Sequence, residues 1–324
     1  MNGKIYDVAV IGSGPAGLTA AIYTTRGAAS TVILAGESWG GQLMLTTQVD
    51  NFPGFPDGVM GPSLMEKMKA QAVRFGAEFV PQNVTSVDFS SHPFKLTTTD
   101  GTTVEAHTVI VATGAETKWL GVSGEKELIG RGISSCAPCD APFFKEKEVV
   151  VIGGGDSAME EALVLTKYAT KVTIIHRRSE FRASKIMQNK VLNSPKISVI
   201  WDSEVVKIVG EQKLEKVIIK NNKTNQETEI KTDGMFVAIG HNPSTQIFKD
   251  ILNMDEKGYI IPSTKYKVLS TKYSTMTNIE GVFVSGDVHD HTYKQAITAA
   301  GYGCMAAMDA LNYLVDNKSS KPVV

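Results

Sequence analysis

"YDVAVIGSGPAGLTAAIYTTR", residues 6–26, decides the fold. Val8 to Ile11 form an apolar run that reads as a strand. Gly12, Gly14 and Gly17 follow as a glycine turn, and the residues after them read as a helix. In such a turn the first glycine permits the sharp bend and the second lets backbone approach a pyrophosphate. The third lets helix and strand pack closely, and the helix start faces the phosphate with unpaired N–H groups. Alone, this spacing describes many tight turns; here a strand precedes it and a helix follows. The arrangement returns in "EVVVIGGGDSAMEEALVLTKY", residues 148–168. There Val149 to Ile152 lead into Gly153, Gly155 and Ala158, with Asp156 and Ser157 inside the turn and a helical stretch over Met159 to Tyr168. The copies stand too far apart for a solenoid period, so they imply two related α/β domains and two bound dinucleotides.

The end of the next strand distinguishes the two nucleotides. After the second turn comes "KVTIIHRRSEFRASK", residues 171–185. His176, Arg177 and Arg178 stand where a carboxylate would accept from the ribose of NAD, with Arg182 a turn later. Guanidinium forks match a 2′-phosphate, so the second nucleotide reads as NADPH. After the first turn the strand is "STVILAGES", residues 30–38. Leu34, Ala35 and Gly36 occupy the expected acidic position, and Glu37 is the nearest carboxylate.

Composition bounds the function. At 324 residues the chain suits two domains, each burying its own core. Its 33 basic and 34 acidic side chains nearly cancel, which points away from nucleic acid or an anionic membrane as an obligatory partner. No apolar run is long enough for a transmembrane helix. The N-terminus runs directly into the first strand, with no room for a secretory signal, so the expected location is cytoplasmic. Three cysteines make no secreted disulfide framework. Two of them lie in "CAPCD", residues 136–140, and in a reducing compartment so close a pair is catalytic or metal-bound more often than structural. Cys304 lies in "AAGYGCMAAMDAL", residues 299–311, and is expected to be a buried, inert thiol on a helix.

Five further segments carry readable patterns. "TVIVATGAE" (108–116) and "DGMFVAIGHNP" (233–243) are apolar strands ending in glycine that could mark crossings between domains. "GVFVSGDV" (281–288) is a strand followed by Gly-Asp, and "KQAITAAGYGCMAAMDALNYL" (294–314) a long helix rich in small residues. "DNKSSKPVV" (316–324) reads as a frayed tail.

Together the motifs resemble a known family. "GSGPAG" (12–17), "GGQL" (40–43), "DNFPGFPDGVMGPSLM" (50–65), "CAPCD", "GGGDSAMEEALVLTKY" (153–168), "HRRSEFRAS" (176–184), "AIGHNPST" (238–245) and "GDVHDHTYKQAITAAGYGCMAA" (286–307) follow the order of low-molecular-weight thioredoxin reductases. The resemblance covers nearly the whole chain. It implies an α/β fold of two Rossmann-like nucleotide-binding domains, the second inserted into the first. Residues 1–117 and 245–324 would bind FAD, and residues 118–244 would bind NADPH and carry the cysteine pair. It also implies a homodimer acting on oxidised thioredoxin. Carried over by motif, Ser13, Gly14, Pro15 and Ala16 would hold the FAD pyrophosphate, with Glu37, Gln42, Asn51 and the backbone of Val84 along the rest of the nucleotide. Asp287 would bind the ribityl chain, with Lys294, Gln295 and Ala296 at the isoalloxazine. Gly153, Gly155, Asp156, Ser157, His176, Arg177, Arg178 and Arg182 would bind NADPH. Two departures are local: Ala141 stands where the family more often has glycine, and "MLTT" after "GGQL" is less rich in threonine.

For the cysteine pair three chemistries compete. Zinc needs two more ligands; Cys304 lies in a distant helix, and His289 and His291 flank Asp287, so no metal is expected. A structural disulfide over so short a loop would add little stability. The redox pair is left, with Pro138 stiffening the intervening turn. As the resemblance suggests, electrons run from NADPH through FAD to the disulfide and on to the protein substrate. Cys139 would be the sulfur nearer the flavin, Cys136 the exchanging thiol and Asp140 the acid/base. Nicotinamide and disulfide cannot face the flavin together, so domain rotation is expected, hinged near 115–118 and 242–245. Flavin reductases serving ferredoxin or a peroxidase, a non-catalytic redox sensor and a plain nucleotide-binding scaffold are the competing readings.

Overall fold

The computed structural model describes residues 3–263 and 273–319. The chain divides into two compact units, one of Met1–Glu116 with Asn242–Val324 and one of Thr117–His241. The chain passes between them at two strands, Ala115–Thr117 and His241–Pro243, which pair with each other.

The first unit is built on a seven-stranded sheet. Its centre is the strand Ile5–Ile11, parallel to Thr31–Leu34 on one side and to Thr103–Val111 on the other. Thr31–Leu34 in turn pairs in parallel with Glu78–Val80. The nine-residue strand Thr103–Val111 branches. Its first half pairs antiparallel with Phe94–Thr98, and its last three residues pair in parallel with Val282–Val284. Strand period two sorts the central strand: Val8 and Val10 join the core cluster that includes Leu18, Ala21 and Ala306, while Ala9 and Ile11 join the one that includes Phe94 and Val282. The helices Pro15–Arg26 and Ala296–Ser319 pack on each other on the first face. Of the expected tail, 316–319 continue the last helix and 320–324 lie outside the described residues.

The second unit has a five-stranded, all-parallel sheet in the order Ile133–Ser134, Gly234–Val237, Glu148–Ile152, Lys171–Ile175, Ile197–Ile200. Val149 and Val151 face one core cluster, Val150 and Ile152 the other. A three-stranded antiparallel sheet, Ser203–Val209, Lys216–Asn221 and Glu227–Lys231, belongs to the same unit. Both units therefore have the strand–glycine turn–helix start that the sequence predicts. Among the described residues no helix is long and apolar enough to cross a membrane.

Candidate active site

In the first unit the turn shows why Gly12 and Gly17 are needed. Gly12 has φ 110°, and a Cβ there would lie 2.2 Å from the Ala112 carbonyl oxygen. A Cβ on Gly17 would lie 2.1 Å from the Gly12 carbonyl. At Gly14 a Cβ would meet nothing within 4 Å, so the turn is open there. Gly14 caps the helix Pro15–Arg26 without any side-chain hydrogen bond, and Pro15 opens its first turn. That leaves first-turn N–H groups for a ligand. The Ser13 side chain is used internally: its hydroxyl donates to the Ala35 carbonyl (2.7 Å) and accepts from the Gly40 N–H (2.9 Å). Only backbone of Ser13 is left for a phosphate. Glu37 is exposed, three residues past the strand end, and its N–H donates to Asn83 Oδ1 (3.2 Å). Gln42 is exposed in the short 3-10 turn Gly41–Leu45, and Val84 opens the strand Val84–Asp88.

The segment after the strand Val282–Val284 carries the second half of this site. Asp287 and Ser285 are placed there with Asp287 Oδ1 and Ser285 Oγ buried and without a hydrogen-bond partner among the described residues. Burial first, then the negative charge of Asp290, pushes the Asp287 carboxyl up to about 7, against the opposing pull of Lys294. Asp290, 5% exposed, accepts from the N–H groups of Thr292, Tyr293 and Lys294 and so fixes the turn. Lys294 adopts φ 48° at the turn's end, and burial lowers the pKa of its ammonium. Gln295 accepts from Asn51 Nδ2 at 3.2 Å, joining two segments far apart in sequence. Ala296 begins the last helix. Sequence reading names Asp287, Asn51, Lys294 and Gln295 but misses Asp290, whose role is visible only as three backbone bonds.

In the second unit, the glycine turn repeats the pattern with Ala158 as the third small residue. A Cβ on Gly153 would lie 2.5 Å from the Ala238 carbonyl and 2.8 Å from Ala158 Cβ, whereas Gly155 is open. The loop after Lys171–Ile175 folds back on this turn: the N–H groups of Arg182 and Ala183 both donate to the Gly154 carbonyl. Arg177, Arg178 and Arg182 are exposed, and among the described residues no ion pair engages them. His176 is placed differently from its arginine neighbours. It is 5% exposed, stacks near Phe181 and Trp201, and meets the Glu180 carbonyl through Nε2 at 3.0 Å. The ring fills the space that a Cβ on Gly154 would take. Burial, with the three arginines adding, lowers its pKa. It props the loop from beneath. Asp156 accepts from the N–H and hydroxyl of Ser184, tying the helix start to the same loop, and Ser157 is exposed beside it.

Cys136 and Cys139 form a disulfide across the single helical turn Ala137–Asp140, with Cα atoms 5.3 Å apart. The Cys136 carbonyl accepts from the N–H groups of Cys139 and Asp140. The Cys136 N–H donates to Ser134 Oγ (3.0 Å). Burial raises the Asp140 pKa, opposed by that hydroxyl. Glu161, on the helix Asp156–Leu165, accepts a short hydrogen bond from the Ala137 N–H inside the cysteine loop. Burial raises its carboxyl to about 7, and the charges of Asp140 and Glu160 add to the rise. Sequence reading misses both Ser134 and Glu161. Cys304 is half-buried rather than buried: its Sγ lies 3.9 Å from Met308 Sδ at the edge of an exposed helical face.

The family model for pyridine nucleotide-disulphide oxidoreductases matches residues 6–303. A thioredoxin reductase of Streptomyces clavuligerus is 50% identical over 320 residues, 98% of this chain and 97% of its own. One from Rickettsia prowazekii is 49% identical over 310 residues, covering 95% and 97%. The solved thioredoxin reductase from Giardia duodenalis superposes with TM-score 0.90 at 42% identity, covering 96% of this chain and 99% of that one. With the cysteine pair and both glycine turns in place, the chain belongs to the pyridine nucleotide-disulphide oxidoreductase family and, within it, to the thioredoxin reductases.

Proposed function

We propose that the chain is an NADPH-dependent thioredoxin-disulfide reductase, passing electrons from NADPH through FAD and the Cys136–Cys139 disulfide to oxidised thioredoxin. The observation that carries this reading is the Cys136–Cys139 disulfide, held in a loop of a unit with its own dinucleotide-type turn. FAD, when bound, supplies a two-electron carrier able to exchange with a nicotinamide and with a disulfide. We assign residues 1–117 and 245–324 to FAD binding and 118–244 to NADPH binding. In the first unit the fit rests on the open Gly14 turn and on Asp287 Oδ1, a buried acceptor for which a ribityl hydroxyl would supply the donor. In the second it rests on the open Gly155 turn beside three exposed guanidinium groups. Cys136 is the exchanging thiol, Cys139 the sulfur that faces the flavin, and Asp140 donates and accepts the proton. The test is NADPH consumption by the purified protein with and without oxidised thioredoxin. Consumption that depends on thioredoxin supports the reading; a flavin that NADPH bleaches without turnover would favour a sensor.

Asp287→Ala is expected to weaken FAD binding about 10- to 150-fold, since a charge-assisted hydrogen bond contributes about 1.5–3 kcal/mol. Flavin release on dilution, followed by fluorescence, measures it, and unchanged retention removes Asp287 from the site.

We further propose a homodimer. On the last helix Ile297, Met305, Met308 and Val315 are exposed at 44%, 44%, 53% and 63% and, at helical spacing, share one face. A second copy covering that face explains so much exposed apolar surface. Light scattering should give twice the chain mass, and Met308→Glu should lower it to one. Three cysteines in the whole chain suit a reducing, cytoplasmic compartment.

A further inference from the structure

Two carboxyl groups approach the cysteine loop from different elements. Asp140 ends the turn Ala137–Asp140, where the Ser134 hydroxyl that receives the Cys136 N–H lowers its pKa against the effect of burial. Glu161 comes from the helix Asp156–Leu165 and receives the Ala137 N–H. Each sulfur-bearing residue thus sits one residue from a backbone or side-chain group that one of these carboxyls controls. Among the described residues no ion pair engages either carboxyl. The charges acting on Glu161 are those of Asp140 and of Glu160 on its own helix. The turn Ala141–Phe144 brings no titratable side chain. On the other elements packed against the helix, Glu148 and Lys171 are exposed and pair with each other, and Lys185 and Lys190 are exposed. Both carboxyls are half-buried, and the charge of Asp140 disfavours ionisation of Glu161, so the pair retains one proton where an isolated carboxyl would have lost it.

We propose that Glu161 is a positioning residue of the redox centre: with Asp140 it forms a carboxyl couple that stores the proton delivered to the Cys136–Cys139 sulfurs. The inference rests on the reductase reading above. Cleavage of the Cys136–Cys139 bond by two electrons, which NADPH supplies, leaves two thiolate sulfurs. One of them takes the couple's proton from Asp140. The couple is then doubly ionised until water returns a proton. Glu161 never touches a sulfur; it keeps the proton inventory near neutrality and holds the loop through Ala137. The upper position of Glu161, about 7, is consistent with that store. Asp140 and Glu161 titrate as a pair, so the two macroscopic steps belong to the couple.

The test uses the whole FAD-loaded protein. Glu161→Gln keeps an acceptor for the Ala137 N–H and removes the charge. In the oxidised protein, infrared difference titration from about pH 5 to 9 should find, beside the Asp287 carboxyl, a second carboxyl that stays protonated until near neutrality, and that second signal should be lost in Glu161→Gln. In thioredoxin reduction the store acts while protonated, so activity falls as pH rises through the couple's upper step. In Glu161→Gln the fall should move about one pH unit or more toward acid, costing about tenfold at pH 7, with flavin content unchanged. Glu161→Asp, which keeps the charge on a shorter arm, should restore part of the neutral activity. A Glu161→Gln spectrum that has lost no neutral-range carboxyl relative to the wild type, or a pH profile that does not move when the signal is lost, overturns the proposal. The titration needs no turnover, so it stands or falls apart from the identity of the substrate. If thioredoxin is not reduced by the wild type, the reductase reading fails, and the pH profile is taken with a small aromatic disulfide instead.

Discussion

Cys136→Ser and Cys139→Ser each abolish NADPH-dependent reduction of thioredoxin, and only Cys136→Ser keeps a thiolate beside the flavin, visible as a long-wavelength charge-transfer band. Both losses are expected to be complete, because thiol–disulfide exchange proceeds through a mixed disulfide that a second thiolate must resolve. The loop is built to keep the two sulfurs adjacent after the bond opens. The Cys136 carbonyl holds the N–H groups of Cys139 and Asp140, and Ser134 holds the Cys136 N–H. None of these bonds involves sulfur, so the turn survives reduction and the Cα atoms stay near their 5.3 Å separation. The serine variants therefore report sulfur chemistry and not a collapsed loop. Absorbance spectra of the two flavin-loaded variants check the assignment. A band in Cys139→Ser, and none in Cys136→Ser, would exchange the roles of the two sulfurs.

How much of this was legible in the sequence depends on whether a residue's task is local. The strand–turn–helix starts were legible because Gly17 is required by the turn itself, whose Gly12 carbonyl lies against it, although Gly12 and Gly153 also answer to the Ala112 and Ala238 carbonyls from distant segments. The arginine run was legible because it follows its strand by a fixed step. His176 stands in the same run, but whether it points up with the arginines or down under Gly154 depends on Phe181 later in the run and on Trp201 from another segment. The sheet Ser203–Lys231 escaped notice because its strand Glu227–Lys231 is polar and largely exposed, leaving no clean alternation to read. Glu161 was hidden for the opposite reason. It sits three residues after buried Ala158 and four before buried Leu165, on the inward face of an ordinary amphipathic helix. A carboxylate in that register was the only clue, and what it faces is settled by tertiary packing. Asp290 likewise differs from a surface acid only through three backbone donors.

Replacing Arg177 and Arg178 together by alanine is expected to lower the efficiency with NADPH by about 10² to 10⁴ while leaving use of NADH nearly unchanged. Each guanidinium contact to a 2′-phosphate is charge-assisted and contributes about 1.5–3 kcal/mol, so two contacts that add are worth about 3–6 kcal/mol. The structure favours a clean separation of binding from folding at these positions. The loop's backbone is pinned without the side chains: Asn222 Nδ2 donates to the Arg177 carbonyl, the Asp202 N–H to the Arg178 carbonyl, and the Arg182 N–H to the Gly154 carbonyl. His176 supports it from below. The side chains themselves are exposed, so truncating them removes charge without opening a cavity. Because NADH lacks the 2′-phosphate, it loses no partner, and the ratio of the two efficiencies isolates the phosphate contacts from any effect on the flavin or the cysteines. Steady-state rates with both nucleotides at matched ionic strength give that ratio. Equal losses with NADPH and NADH would mean that the arginines serve the loop rather than the phosphate, and nucleotide choice would have to come from elsewhere in the second unit.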